Sequence, residues 1–89
     1  MFEDMKINIE NDTDIPILIS IEPWAEEFTV SPKSILNLNC LCKNEGSPIM
    51  KIEYHTDLTS IWFWGGTKVE VRMDGELLET ASSEFESPF

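Results

Sequence analysis

An all-β fold, a compact sandwich of roughly seven or eight short and mainly antiparallel strands, is what this sequence predicts, with a small β-barrel as the alternative. Three observations predict it. Apolar and polar residues alternate with a period of two through most of the chain. Turn-forming clusters of Asn, Asp, Gly, Pro and Ser interrupt that alternation about every 8 to 12 residues. No segment carries a convincing helical period.

The elements follow in order. Met5, Ile7 and Ile9 alternate with Lys6, Asn8 and Glu10, which predicts a half-buried first strand running into the turn Asn11 to Asp14. Ile15, Ile17, Ile19 and Ile21 then share one face of a second strand, with Leu18, Ser20 and Glu22 on the other. β-Branched residues at that spacing fit a pleated surface and argue against a helix. Pro23 has no N–H for a ladder, so the second strand stops there and the chain turns through IEPWAEE. Phe28 to Val30 predict a short third strand, and Ser31-Pro32-Lys33-Ser34 a second turn.

Leu36, Leu38, Cys40 and Cys42 face one way along a fourth strand, with Asn37 and Asn39 facing the other, before a loop at Lys43 to Ser47. Met50, Ile52 and Tyr54 alternate with Lys51, Glu53 and His55 in the fifth. Ile61-Trp62-Phe63-Trp64 is apolar on both faces, and Gly65-Gly66 can take the positive φ angles of a tight turn. Val69, Val71 and Met73 alternate with Lys68, Glu70 and Arg72, and Asp74-Gly75 signals a hairpin into a last short strand near Leu77 and Leu78. From Thr80 onward, TASSEFESPF is small, polar and acidic, which predicts a flexible tail over residues 81–89 and a single β-domain over residues 1–80.

Glu22-Pro23-Trp24, the acidic pair Glu26-Glu27, a short strand and Ser31-Pro32, followed later by Trp64, Val69, Val71 and Asp74-Gly75, resemble a pattern seen in small uncharacterised bacterial β-proteins. The resemblance spans roughly residues 15 to 78, and Lys33 stands where that pattern has a turn glycine. It implies a compact β-fold and a bacterial or phage origin, and brings no activity or site residues with it.

Size and charge bound the function. An 89-residue chain buries only about 60 to 65% of the surface its unfolded form exposes. The large apolar side chains are therefore needed for the core, and few remain to line a deep pocket. That argues for a non-enzymatic protein without a cofactor. Seventeen acidic residues against six basic ones give a net charge of -11. Residues 1–27 hold eight acids and one lysine, residues 28–69 three acids and four lysines, and residues 70–89 six acids and one arginine. This field repels phosphate backbones and anionic lipid, so direct nucleic-acid or membrane binding is not expected, and it favours encounter with a basic protein surface. The N-terminal MFEDMKIN is acidic where a secretory signal is basic, so the chain is expected to be soluble and cytoplasmic.

The candidate site is aromatic. Along the sixth strand Ile61 and Phe63 share one face and Trp62 and Trp64 the other, so one pair enters the core and the other needs its own cover. Either pair fits the core. If the tryptophans lie outside, Trp62, Trp64 and Trp24 become anchors of a partner-binding surface rimmed by Glu22, Glu26 and Glu27. Trp24 has a structural reading as well, closing one end of the sandwich while the three glutamates stay in water. The expected function is an acidic protein–protein interaction module, in its sharper form an immunity-type or anti-restriction inhibitor of a basic nucleic-acid-binding protein. Two alternatives stand beside it. One is a small metal-binding β-protein built on Cys40, Cys42 and His55, although neighbouring positions on one strand more simply read as free thiols in a reducing compartment. The other is a structural subunit that forms a homo-oligomer. Phe85 and Phe89 are weaker candidates for a docking motif in the tail.

Overall fold

The computed structural model describes residues 3–42 and 50–87; the loop expected at Lys43 to Ser47 and the candidate Phe89 lie outside them. In chain order the elements are β1 (Glu3–Glu10), β2 (Ile17–Glu22), β3 (Glu26–Val30), β4 (Ile35–Cys42), β5 (Met50–Tyr54), β6 (Thr59–Phe63), β7 (Thr67–Met73), β8 (Glu76–Leu78) and a one-turn helix α1 (Ala81–Glu84). The strands form two four-stranded sheets, ordered β1-β4-β7-β8 and β3-β2-β6-β5. Two separate sheets make a sandwich and leave the barrel alternative unfilled. The pairings are antiparallel except β2 with β6, which run parallel. The Cα radius of gyration, 12.7 Å, is close to the roughly 12 Å of a compact chain this long.

Alternation explains the core. In the first sheet Ile7, Leu38, Val71 and Leu78 lie in one cross-strand row, with Met5, Cys40 and Val69 in the next. In the second sheet Ile21, Ile61 and Ile52 share a row, and Ile19 pairs with Phe28. These inward faces meet in a cluster built on Ile19, Ile21, Val30, Leu36, Leu38, Cys40, Ile61, Phe63, Val69 and Val71. Along β5, an edge strand, burial fades: Ile52 is partly exposed and Tyr54 is 82% exposed.

Two sequence expectations need correction. Ile15 does not belong to β2 and is 67% exposed. Its carbonyl accepts hydrogen bonds from Asn11 Nδ2 and Thr13 Oγ1, which hold it in the β1–β2 turn, and Pro16 follows with no N–H to offer a ladder. Asn11 itself is buried. Its amide also donates to the Val30 carbonyl, and its Oδ1 accepts from the Thr13 N–H. One side chain thus ties the β1–β2 turn to the end of β3.

The second correction concerns the C-terminal segment, expected to be a flexible tail over residues 81–89. Residues 80–87 instead pack against the sandwich. Thr80 caps α1 by accepting from the Ser83 N–H, and Ser82, fully buried, donates to the Val69 carbonyl at 2.9 Å. Ser87 pairs with Thr67 twice: its N–H donates to the Thr67 carbonyl and its Oγ accepts from the Thr67 N–H. Small polar composition suits this role, because serine hydroxyls satisfy backbone groups in spaces too narrow for larger side chains. No helix among the described residues is long and apolar enough to cross a membrane.

Turn geometry fits the residues with three exceptions. Gly65, Gly66 and Gly75 take positive φ, as the hairpin signals require, but so do Ala25 (φ 57°), Lys33 (φ 67°) and Asp74 (φ 50°). Lys33 thereby adopts the left-handed conformation for which a turn glycine is suited.

Candidate functional site

The period of two along β6 decides where the tryptophans go. Ile61 aligns with Ile21 and Ile52 across the sheet and Phe63 with Met50, so the aliphatic and phenyl pair turns inward and both become fully buried. Trp62 and the following Trp64 therefore stand on the outer face of the β3-β2-β6-β5 sheet, each half-buried. Their rings stack, with centroids 6.3 Å apart and planes 21° from parallel. The Trp62 Nε1 is buried and has no hydrogen-bond partner among the described residues.

Charged residues frame the pair. On β5, Lys51 lies opposite Trp62, and its Nζ sits 5.8 Å from the centroid of each ring. The same Nζ is 3.5 Å from a Glu53 carboxylate oxygen. On β2, Glu22 lies opposite Trp62 in the parallel ladder and accepts a hydrogen bond from Ser20 Oγ. Glu27 on β3 lies opposite Ser20 and is exposed. Ser20 and Ser60 form the floor between these side chains and are buried, although they belong to the outer face. The result is an aromatic strip along β6 with Lys51 and Glu53 on one flank and Glu22 and Glu27 on the other.

Four of the six predicted site residues thus share a face: Trp62, Trp64, Glu22 and Glu27. Trp24 and Glu26 belong elsewhere. The Trp24 ring lies 6.3 Å from the Phe63 ring, against the inner cluster, and its Nε1 donates to the Phe85 carbonyl at 3.0 Å. It closes one end of the sandwich. Glu26 accepts the N–H groups of Ala81 and Ser82 at 2.9 and 3.0 Å, so its carboxylate anchors α1 to β3. Phe85 contributes that carbonyl while its ring is largely exposed.

The alternative ligand set is not brought together. Cys40 and Cys42 are buried on the inner face of β4, and Cys42 Sγ contacts the Gly65 carbonyl at 3.4 Å. His55 lies beyond β5, exposed, beside an open depression of about 360 Å³ that Ile15, Pro16, Asp57 and Leu58 help to line. Among the described residues no three His, Cys, Asp or Glu side chains gather as a metal site.

One feature of the opposite sheet was not anticipated. Lys6, Asn8, Asn37, Asn39, Glu70 and Arg72 line a depression of about 360 Å³ on the outer face of β1, β4 and β7. Asn37 Nδ2 donates to Asn8 Oδ1 at 2.8 Å, Arg72 pairs with Glu70 at 3.3 Å, and Asn39 Oδ1 is buried without a partner among the described residues. The alternation of Asn37 and Asn39 with Leu36, Leu38 and Cys40 signals their outward direction; only strand order brings Glu70 and Arg72 beside them.

Compared with protein-family models, with curated proteins and with solved structures, the chain finds no match.

Proposed function

We propose that the protein is a non-enzymatic binding module that docks on the basic surface of another protein through the outer face of the β3-β2-β6-β5 sheet. One observation carries the reading: two stacked tryptophans stand outside the core, in a face rimmed by Glu22, Glu27 and Glu53. Large aromatic side chains at the centre of a charged rim are where binding free energy concentrates. The net charge of -11 favours a cationic partner and speeds its approach at low salt. A nucleic-acid-binding protein offers such a surface, and carboxylates laid into its phosphate cleft make the module an inhibitor of the immunity or anti-restriction type.

The test is capture of partners from the source cell at low and high salt, comparing the native protein with Trp62→Ala/Trp64→Ala and with Glu22→Lys/Glu27→Lys. Truncating an aromatic hot spot costs about 2 kcal/mol or more, so the double alanine variant loses roughly 100-fold or more in affinity if both residues are anchors. The reading predicts a partner released by salt and lost with either variant. A partner held equally by the folded double alanine variant contradicts it.

A further inference from the structure

Resting on that reading, we infer that the Trp62–Trp64 face is a seat for a guanidinium group of the partner, occupied in the free protein by Lys51 from its own chain. The nearly parallel rings present a joined π surface, and the electron-rich faces of indoles attract cations. The chain itself shows which kind of group this surface holds, since Lys51 Nζ lies 5.8 Å from both centroids with the Glu53 carboxylate 3.5 Å away.

Lys51 holds the seat loosely. A separation of 5.8 Å is near the outer limit of about 6 Å for a cation over a ring. Its ion pair joins side chains that are 55% and 39% exposed, where solvent screens most of the attraction. No core residue depends on it, because Lys51 lies on the exposed side of edge strand β5. Its ammonium can therefore swing into water without disturbing the sandwich.

An arginine suits the vacated position better than a lysine. The guanidinium is planar and weakly hydrated, so it stacks flat on an indole while its N–H fork engages a carboxylate with two parallel bonds. Carboxylates stand on both flanks: Glu53 beside Lys51, and Glu22 across Trp62, oriented by the buried Ser20 hydroxyl. Lys51 then acts as an internal competitor, lowering apparent affinity by the fraction of time it fills the seat. It also disfavours partners without an arginine at the matching position.

The test titrates the native protein, at fixed ionic strength, with N-acetyl-arginine amide, its lysine counterpart and its neutral citrulline counterpart. Binding is followed by the indole N–H signals of the three tryptophans. The arginine amide is expected to shift the Trp62 and Trp64 signals saturably while leaving Trp24 in place, with the lysine amide weaker and the citrulline amide inert. Lys51→Ala, and Lys51→Gln as a second variant, are expected to tighten arginine-amide binding about threefold to tenfold, and Glu22→Gln to weaken it. Equal responses to arginine and citrulline amides, or no saturable shift in either folded Lys51 variant, overturn the inference. Failure of the broader reading looks different: the arginine seat is present, yet partner capture survives Trp62→Ala/Trp64→Ala.

Discussion

Glu26→Ala should detach the C-terminal segment from the sandwich. Both hydrogen bonds made by the Glu26 carboxylate go to backbone N–H groups in the first turn of α1, at 2.9 and 3.0 Å. Hydrogen bonds to a charged acceptor contribute roughly 1.5 to 3 kcal/mol each. The contacts are only part-buried, so water re-solvates some of what is lost, and the net effect of truncation is set at about 2 to 3 kcal/mol. For a domain of this size 1 kcal/mol corresponds to roughly 4 to 8 °C in midpoint, which predicts a fall of about 10 to 20 °C. Thermal unfolding followed by circular dichroism measures it. Glu26→Gln should fall between, because the amide retains one acceptor oxygen for one of the two N–H groups. A midpoint lowered by less than about 3 °C in Glu26→Ala, under 1 kcal/mol on the same scale, refutes the claim that this carboxylate holds the segment in place.

Asn11→Ala removes the two 2.8 Å bonds to the Ile15 and Val30 carbonyls and strands the Val30 acceptor in a buried setting, while the Ile15 carbonyl keeps the Thr13 hydroxyl. A loss of about 2 to 4 kcal/mol is expected, read as a lower urea midpoint at unchanged slope; a native midpoint contradicts it. Asn11→Asp should be no milder, since its carboxylate faces the same two carbonyl oxygens. Ala25→Gly should stabilise the protein by about 0.5 to 1 kcal/mol, because φ of 57° costs a residue with a β-carbon roughly 1 to 2 kcal/mol and glycine's greater freedom in the unfolded chain offsets part of the gain. A lower thermal midpoint in that variant contradicts it. Neither of the two cysteines should react with an aromatic disulfide reagent in the native protein, and both should react after denaturation. Rapid native labelling is the contrary result.

The strands are legible because alternation is a local signal. ILNLNCLC in β4 carries its burial pattern in its spelling, and β7 does the same with Thr67, Val69 and Val71 inward. Strand order is not local. The parallel pairing of β2 with β6 joins segments about forty residues apart, and no residue in either states its neighbour. That pairing nevertheless decides the site, since the row Ile21–Ile61–Ile52 turns Trp62 and Trp64 outward, a question the apolar run leaves open. Glu26 among other acids reads as a solvated carboxylate because its partners lie 55 and 56 residues further on. Residues 81–87 read as a tail for a related reason. Serines contribute little apolar burial, so composition hides that Ser82 and Ser87 complete hydrogen bonds of β7. Trp24 conforms to its structural reading, at one end of the core.

Hydroxyl-radical footprinting of the protein alone and with a captured partner tests the proposed binding face most directly. The account predicts that oxidation of Trp62 and Trp64 falls in the complex, while Leu77, exposed on the outer face of the other sheet, stays as reactive as before. Protection of Leu77 with Trp62 and Trp64 unchanged would place the partner on the opposite sheet and contradict the account.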